Sequence, residues 1–139
     1  MNIDGYKTEV RPIAVSEYQN LRNTTNWHAL ETEQVAKALG QDLFSVVVVF
    51  DKQVVAMGRV IGDGAIYFYI QDIIVHPGHR NKGVGKMIMD TIEMFLSNSV
   101  TEYAFIGLMA ADGVADFYKS FGYVKRGNES PGMYKIMGK

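Results

Sequence analysis

At 139 residues the chain has room for one domain with its own hydrophobic core and none for a second catalytic module. Apolar residues at 47%, charged residues at 21%, and 3 prolines beside 14 glycines exclude a disordered chain, a collagen-like repeat and a charged coiled coil. A formal net charge of -1 with scattered basic residues leaves no footprint for nucleic acid, and the lack of cysteine removes disulfides, thiolate metal sites and thiol nucleophiles together.

Segment 10–13 reads as a short first strand, after which Ser16 is placed to cap a helix carrying Val15, Tyr18 and Leu21. A turn-rich break at 23–26 and a linker holding Trp27 and His28 lead to a second helix. Its Glu31 and Glu33 at the start and Lys37 and Gly40 at the end suit the helix dipole. Segment 43–50 is an unbroken β-branched and aromatic run, Asp51-Lys52 makes a hairpin turn, and 54–61 resumes the pattern. A turn at Gly62-Asp63-Gly64 opens a long strand over 65–75, closed by His76-Pro77-Gly78.

From Val84 the apolar spacing becomes helical, with Met87, Ile88, Thr91, Ile92 and Phe95 on one stripe. A strand over 103–109 follows, then a helix capped by Asp112 with Val114, Phe117, Tyr118 and Phe121, ended by Gly122. Two strand-like pieces occupy 123–136. The order β-α-α-β-β-β-α-β-α-β-β predicts an α/β (α+β) fold: one mixed, mostly antiparallel central sheet with helices on both faces, in a single domain over 1–139. No run approaches the roughly 18 apolar residues of a membrane span, so a cytoplasmic protein without membrane or nucleic-acid partners is expected.

The chemistry points to Val75-His76-Pro77-Gly78-His79-Arg80-Asn81-Lys82-Gly83-Val84-Gly85-Lys86, a strand end, a basic glycine-containing loop and a helix start. The first N–H groups of a helix lack internal acceptors and sit at the positive dipole end, which suits phosphate oxygens. Gly83 and Gly85 permit close approach of backbone to ligand, and Arg80, Lys82 and Lys86 add charge suited to a diphosphate. A Walker loop is rejected because Val84 stands where its lysine is required, and a dinucleotide fingerprint because Ile88 occupies the third glycine position. A tight strand-to-helix turn with solvated cations is the competing explanation.

Arg80-Asn81-Lys82-Gly83-Val84-Gly85 resembles the Arg/Gln-x-x-Gly-x-Gly/Ala pyrophosphate loop of the Gcn5-related N-acetyltransferase (GNAT) superfamily, and Phe117-Tyr118-Lys119-Ser120-Phe121-Gly122-Tyr123 resembles its FY-x-x-x-GF element, with Tyr123 replacing Phe. The likeness spans nearly the whole chain in element order. Segments 71–77, 108–110, 117–118 and 132–133 look most like small bacterial acetyltransferases and relatives of plant serotonin N-acetyltransferase. This resemblance implies acetyl-CoA as co-substrate, lying where the long strand splays from the strand after the helix. Ile73, Ile74 and Val75 would then lie along the pantetheine, and Arg80, Asn81, Lys82, Gly83, Val84, Gly85 and Lys86 around the pyrophosphate. It also implies Tyr118 as the acid that protonates the departing thiolate, a role that a phenol pKa near ~10 suits. Packing on the stripe with Val114, Phe117 and Phe121 would equally place Tyr118 there.

Two positions depart from the family pattern. Ala111 stands where an Asn often contacts the cofactor arm, and Tyr69 stands where some members carry a glutamate base, with Gln71 next on the same face. Asp72 points away from Tyr69 if the strand is regular, which leaves it an alternative base or a satisfied polar residue; a water relay or a backbone carbonyl is the default. Trp27, His28, Tyr67, Tyr69 and Gln71, together with Arg22, are the candidates for the acceptor site, where an aromatic lining favours an uncharged or aromatic amine, and Trp27 is equally suited to plug the core. His76 and His79 are expected to face solvent, and the eight methionines to fill core gaps. No metal is expected.

The leading expectation is transfer of an acetyl group from acetyl-CoA to a primary amine of a small molecule, by direct attack in a ternary complex, with a homodimer possible. A non-catalytic acyl-CoA-binding or sensing module, acetylation of a protein amino group, and an unrelated phosphate-binding domain are the competing expectations.

Overall fold

The computed structural model describes residues 3–138. The chain forms two compact units, Met1–Gly107 and Leu108–Lys139. The first contains strands β1 (Tyr6–Val10), β2 (Phe44–Phe50), β3 (Gln53–Gly62), β4 (Tyr67–Val75) and β5 (Phe105–Gly107), with helices α1 (Val15–Arg22), α2 (Thr32–Leu39) and α3 (Val84–Ser99). The second contains helix α4 (Ala115–Lys119).

The five strands form one sheet in chain order. Antiparallel pairing joins β1 through β4, and β4 to β5 is parallel. The mixed, mostly antiparallel sheet with helices on both faces is therefore as the sequence predicts. Val46, Val47 and Val48 of β2 are fully buried, the mark of a strand covered on both sides. One face holds Val47, Met57 and Ile74 in a core with Tyr18 and Leu21 of α1 and Val35 and Leu39 of α2. On the other, α3 comes so close that a Cβ on Gly58 would meet Ile88 at 2.7 Å and Ile92 at 3.1 Å, which only glycine allows.

Four local expectations need correction. The first strand is Tyr6–Val10 rather than 10–13, because Pro12 has no N–H to give a ladder. Helix α1 has Ala14, not Ser16, at its N-cap: the Glu17 carboxylate accepts the Ala14 N–H at 2.9 Å and is itself held by a two-pronged Arg11 guanidinium. Asp112 caps no helix, since α4 begins later from Val114 with no side-chain cap. The two strand-like pieces over 123–136 form no strand, and Val124, Met133, Tyr134 and Ile136 are exposed, so the alternating pattern there found no buried face.

The Asp51-Lys52 turn behaves as read, with φ of 49° and 63° giving the left-handed pair that a two-residue hairpin requires. The turn before β4 is tied by Asp63, whose Oδ1 accepts the N–H groups of Ala65, Ile66 and Tyr67.

Candidate active site

Strand β4 carries the site. Its parallel pairing with β5 covers only Tyr67, Phe68 and Tyr69, so from Ile70 to Val75 that edge has no strand neighbour among the described residues. On the other edge the His76 N–H donates to the Val55 carbonyl. Alternation along a strand then turns the peptide groups of Val75 and Ile73 toward the open edge. These are the groups an extended amide ligand would pair with.

Directly after β4, Pro77–His79 makes one 3₁₀ turn, and Asn81 (φ 62°) and Gly83 (φ 82°) both take left-handed backbone before α3 begins. A Cβ on Gly83 would be strained by that φ and would sit 3.1 Å from Ile3. The loop thereby presents the unpaired first N–H groups of a 16-residue helix that has no acidic residue in its first turn. Arg80 anchors its Nε on the Val75 carbonyl at 3.2 Å, and Lys82 is exposed. The Val84 side chain is buried, whereas Lys86 is exposed and tied to Asp90 at 2.8 Å.

His76 and His79 are not simply solvent-facing. The His76 ring accepts the Gly78 N–H at 3.0 Å, and His79 shares a 2.8 Å hydrogen bond with the Tyr6 hydroxyl, fastening the turn to β1. Partial desolvation, followed by the nearby His76 and Lys82, holds the His79 pKa below its ordinary value, so the ring is neutral at pH 7.

Behind β4 lies a buried polar cluster. The pairing jumps from Met57↔Ile74 to Arg59↔Gln71, so Asp72 and Ile73 together oppose Gly58, a bulge of two residues against one. Asp72 takes φ 59° there. The strand is thus irregular, and the expectation that Asp72 points away from Tyr69 is overturned: the bulge brings Asp72 onto the face of Arg59 and Gln71. Its Oδ2 accepts from the Tyr18 hydroxyl at 2.8 Å and from Arg59 at 2.9 Å. Arg59 also bonds Asp42 at 3.0 Å and the Ala38 carbonyl at 3.2 Å, so all three of its nitrogens are used. Burial by itself lowers the Arg59 pKa, but its bonds to Asp42 and Asp72 outweigh that and the net shift is upward. Burial and then the Asp72 charge raise the pKa of Tyr18, and the same two causes raise that of Tyr69.

Among the acceptor-site candidates, Tyr69 and Gln71 are half-buried beside this cluster. Arg22 lies 4.0 Å from Asp72 and stacks over Trp27 with its guanidinium carbon 5.3 Å from the ring centre. Trp27 is 40% exposed, so it lies at the surface and does not plug the core. His28 is exposed, its ring bonds its neighbour Ala29 and its carbonyl accepts from Arg22 at 3.2 Å, so it meets the cluster only through its backbone; Tyr67 is exposed against Phe105 at the far start of the strand and does not join it. Tyr18, Asp42 and Arg59 escaped the sequence reading. Their signal was present as opposite charges, Arg59 and Asp72, interrupting two adjacent apolar strands.

In the second unit Tyr118 is buried, which raises its pKa above the ordinary 10.0. It packs edge-on against Phe117 and lines a pocket of about 320 Å³ with Leu108, Tyr123, Lys125 and Arg126. Among the described residues no group of three or more His, Cys, Asp or Glu is placed to hold a metal, and no helix is long and apolar enough to cross a membrane.

The acetyltransferase (GNAT) domain family matches over residues 42–125, from two residues before β2 to six residues past α4. The chain belongs to this family, and with it to the acyl-CoA-dependent acetyltransferases. An uncharacterized N-acetyltransferase of Prochlorococcus marinus is 28% identical over 84% of this chain, which spans 66% of that relative's length. The crystal structure of a probable acetyltransferase of unknown function from methicillin-resistant Staphylococcus aureus superposes with a TM-score of 0.89 at 29% identity, over 95% of this chain and 99% of that one. A GNAT family protein from Streptococcus pneumoniae shares the fold, with a TM-score of 0.78 at 23% identity over 96% and 99% of the two chains. Members of this GNAT family generally use acetyl-CoA, and the open β4 edge running into a left-handed loop and a helix N-terminus is the arrangement such a ligand needs.

Proposed function

We propose that the chain is a cytoplasmic N-acetyltransferase that moves the acetyl group of acetyl-CoA to a primary amine of a small molecule, acting as one functional domain over 1–139. The observation that carries this reading is the continuity of β4: an edge open from Ile70 to Val75 leads without interruption into the Asn81–Gly83 turn and the start of α3. When bound, acetyl-CoA supplies the activated thioester. The chain holds it by backbone pairing at Ile73 and Val75, with Ile74 packed in the core beneath, and by the helix N-terminus with Arg80, Asn81, Lys82, Gly83, Val84, Gly85 and Lys86 around the pyrophosphate.

The remaining work is positioning and proton movement. The amine nitrogen forms a bond to the acetyl carbon, the carbon–sulfur bond breaks, the amine loses a proton to water, and Tyr118 supplies one to the sulfur. Burial keeps the Tyr118 hydroxyl protonated well past neutral pH, which suits a donor. Asp72 is a poor base because Arg59 and Tyr18 already engage it. Trp27, Tyr69 and Gln71 wall the acceptor side, with His28 and Tyr67 at its margins. Arg22, Arg59, Asp42 and Asp72 balance in charge, so the cluster favours an uncharged or aromatic acceptor. We infer no metal, nucleic-acid or membrane partner; self-association into a homodimer is compatible with this reading.

That Tyr69 replaces a carboxylate on the strand, while Asp72 is consumed by Arg59, favours a second reading, an acyl-CoA-binding module without efficient transfer. Calorimetric titration with acetyl-CoA, followed by thiol release over a panel of amines, separates the two. Binding with turnover supports the transferase, binding without turnover the sensing module, and no binding overturns both. Gly83→Val is expected to weaken acetyl-CoA binding by about 100-fold or more, since the variant needs a strained φ at the anion site. Normal binding by that variant would remove the loop from the site.

A further inference from the structure

Asp72 combines three properties that ordinary strand residues lack. It is 3% exposed, it has left-handed backbone, and it is one of two residues standing opposite Gly58. A non-glycine residue holds such a conformation only when its surroundings over-determine it. Here the surroundings come from far away in sequence: the Tyr18 hydroxyl from α1 at 2.8 Å and the Arg59 guanidinium from β3 at 2.9 Å. Arg59 is fixed in turn by Asp42 and by the Ala38 carbonyl at the end of α2. One carboxylate therefore joins α1, the α2 end and β3 to the point where β4 changes phase.

That phase change decides what β4 presents. Ahead of the bulge, Tyr69 and Gln71 pair with Ile61 and Arg59 and face the α1 side. After it, Ile74 and Val75 pair with Met57 and Ala56, and the peptide groups of Ile73 and Val75 turn to the open edge. In an unbulged strand these two requirements are out of register by one residue.

We propose that Asp72 is a positioning residue: its carboxylate, clamped by Tyr18 and Arg59, fixes the bulge so that the acceptor wall and the cofactor-binding edge of β4 are held in register with each other. This rests on the acetyl-CoA reading above. The clamp acts through backbone geometry and touches neither the thioester nor the amine.

The test uses the full chain and three variants. Tyr18→Phe removes little volume and two hydrogen bonds, the one the hydroxyl donates to Asp72 and the one it accepts from Arg22; Asp72→Asn keeps the shape and loses the charge, and Asp72→Gly relieves the backbone strain while deleting the carboxylate. Each is expected to raise KM for acetyl-CoA about tenfold while kcat changes less than about threefold, the scale of a lost buried hydrogen bond to a charged group. Amide hydrogen exchange over 70–75 in the ligand-free protein is expected to quicken in all three. If Asp72→Gly matches the wild type in KM and exchange, backbone conformation alone suffices and the clamp is wrong. A fall in kcat of about 100-fold at unchanged KM would make Asp72 part of the chemistry and overturn the positioning role. Should the wild type bind no acetyl-CoA, the transferase reading fails, and the exchange comparison still decides for or against the clamp. Should an Asp72 variant not fold, Tyr18→Phe carries both readouts.

Discussion

The loop after β4 and the cluster behind it both depend on left-handed backbone, and they hold it in opposite ways. At Gly83 the φ of 82° costs little because there is no side chain, and Asn81 tolerates 62° in an exposed turn. At Asp72 the φ of 59° is sustained by a buried carboxylate tied to residues 54 and 13 positions away. The first device is local and exposed; the second is distributed and buried. A ligand can reach the loop with little rearrangement, whereas the cluster serves by not moving.

The sharpest way to break this contrast is to remove the centre of the cluster. Arg59→Ala removes the cation that Asp42 and Asp72 share and leaves Asp72 only Arg22 at 4.0 Å, and an expected loss of about 3–5 kcal/mol follows from breaking paired charges in a buried setting. Denaturant midpoints would show it, and Arg59→Lys should recover only part because an ammonium cannot reach three acceptors in one plane. A loss under about 1 kcal/mol would mean that water enters and the cluster is not the rigid element described.

The same contrast explains what the sequence made legible. The loop after β4 is contiguous, so its glycines, cations and following amphipathic helix could be read together, and the β2–β3 hairpin was legible from its turn and its apolar runs. The cluster draws on residues 18, 22, 42, 59 and 72, which meet only after the sheet has formed, and a regular strand assigned Asp72 the wrong face. The bulge itself leaves no local signature beyond an acid in an apolar strand. The tail was misread for the converse reason: alternation over 123–136 resembles a strand, but alternation specifies one only where a partner edge and a buried face exist.

Tyr118 stands outside both regions, in the second compact unit, and its prediction is smaller in stability and large in rate. Tyr118→Phe is expected to lower kcat about 100-fold while acetyl-CoA affinity stays within about twofold, as for loss of a general acid. Burial raises the folded pKa above 10.0, so the protonated form, the donor, persists through neutral and mildly alkaline pH. Its contribution to stability is complete below the unfolded value and declines as pH rises through the raised folded value. The alkaline limb of kcat is accordingly expected above pH 10.0 in the wild type and absent as a tyrosine titration in the Phe variant. An unchanged kcat would reduce Tyr118 to packing against Phe117.

The smallest effect tests the exposed side of the comparison. Lys86 and Asp90 form a 2.8 Å pair one turn apart on α3, with side chains 61% and 37% exposed. Such pairs contribute about 0.3–0.5 kcal/mol, so Asp90→Asn should scarcely move the unfolding midpoint. It frees Lys86 at the helix end where phosphate oxygens are expected, and removes an opposing charge one turn further along the helix. Acetyl-CoA affinity should therefore rise about twofold at low ionic strength, and the gain should vanish near 1 M salt, where screening acts over about 3 Å. Equal affinity at both salt concentrations would take Lys86 out of the pyrophosphate site and leave the backbone N–H groups, with Arg80 and Lys82, to hold the anion. A gain that survives high salt would instead mean that Asp90 shapes the first turns of α3, making the loop less independent of its helix than the contrast with the buried cluster requires.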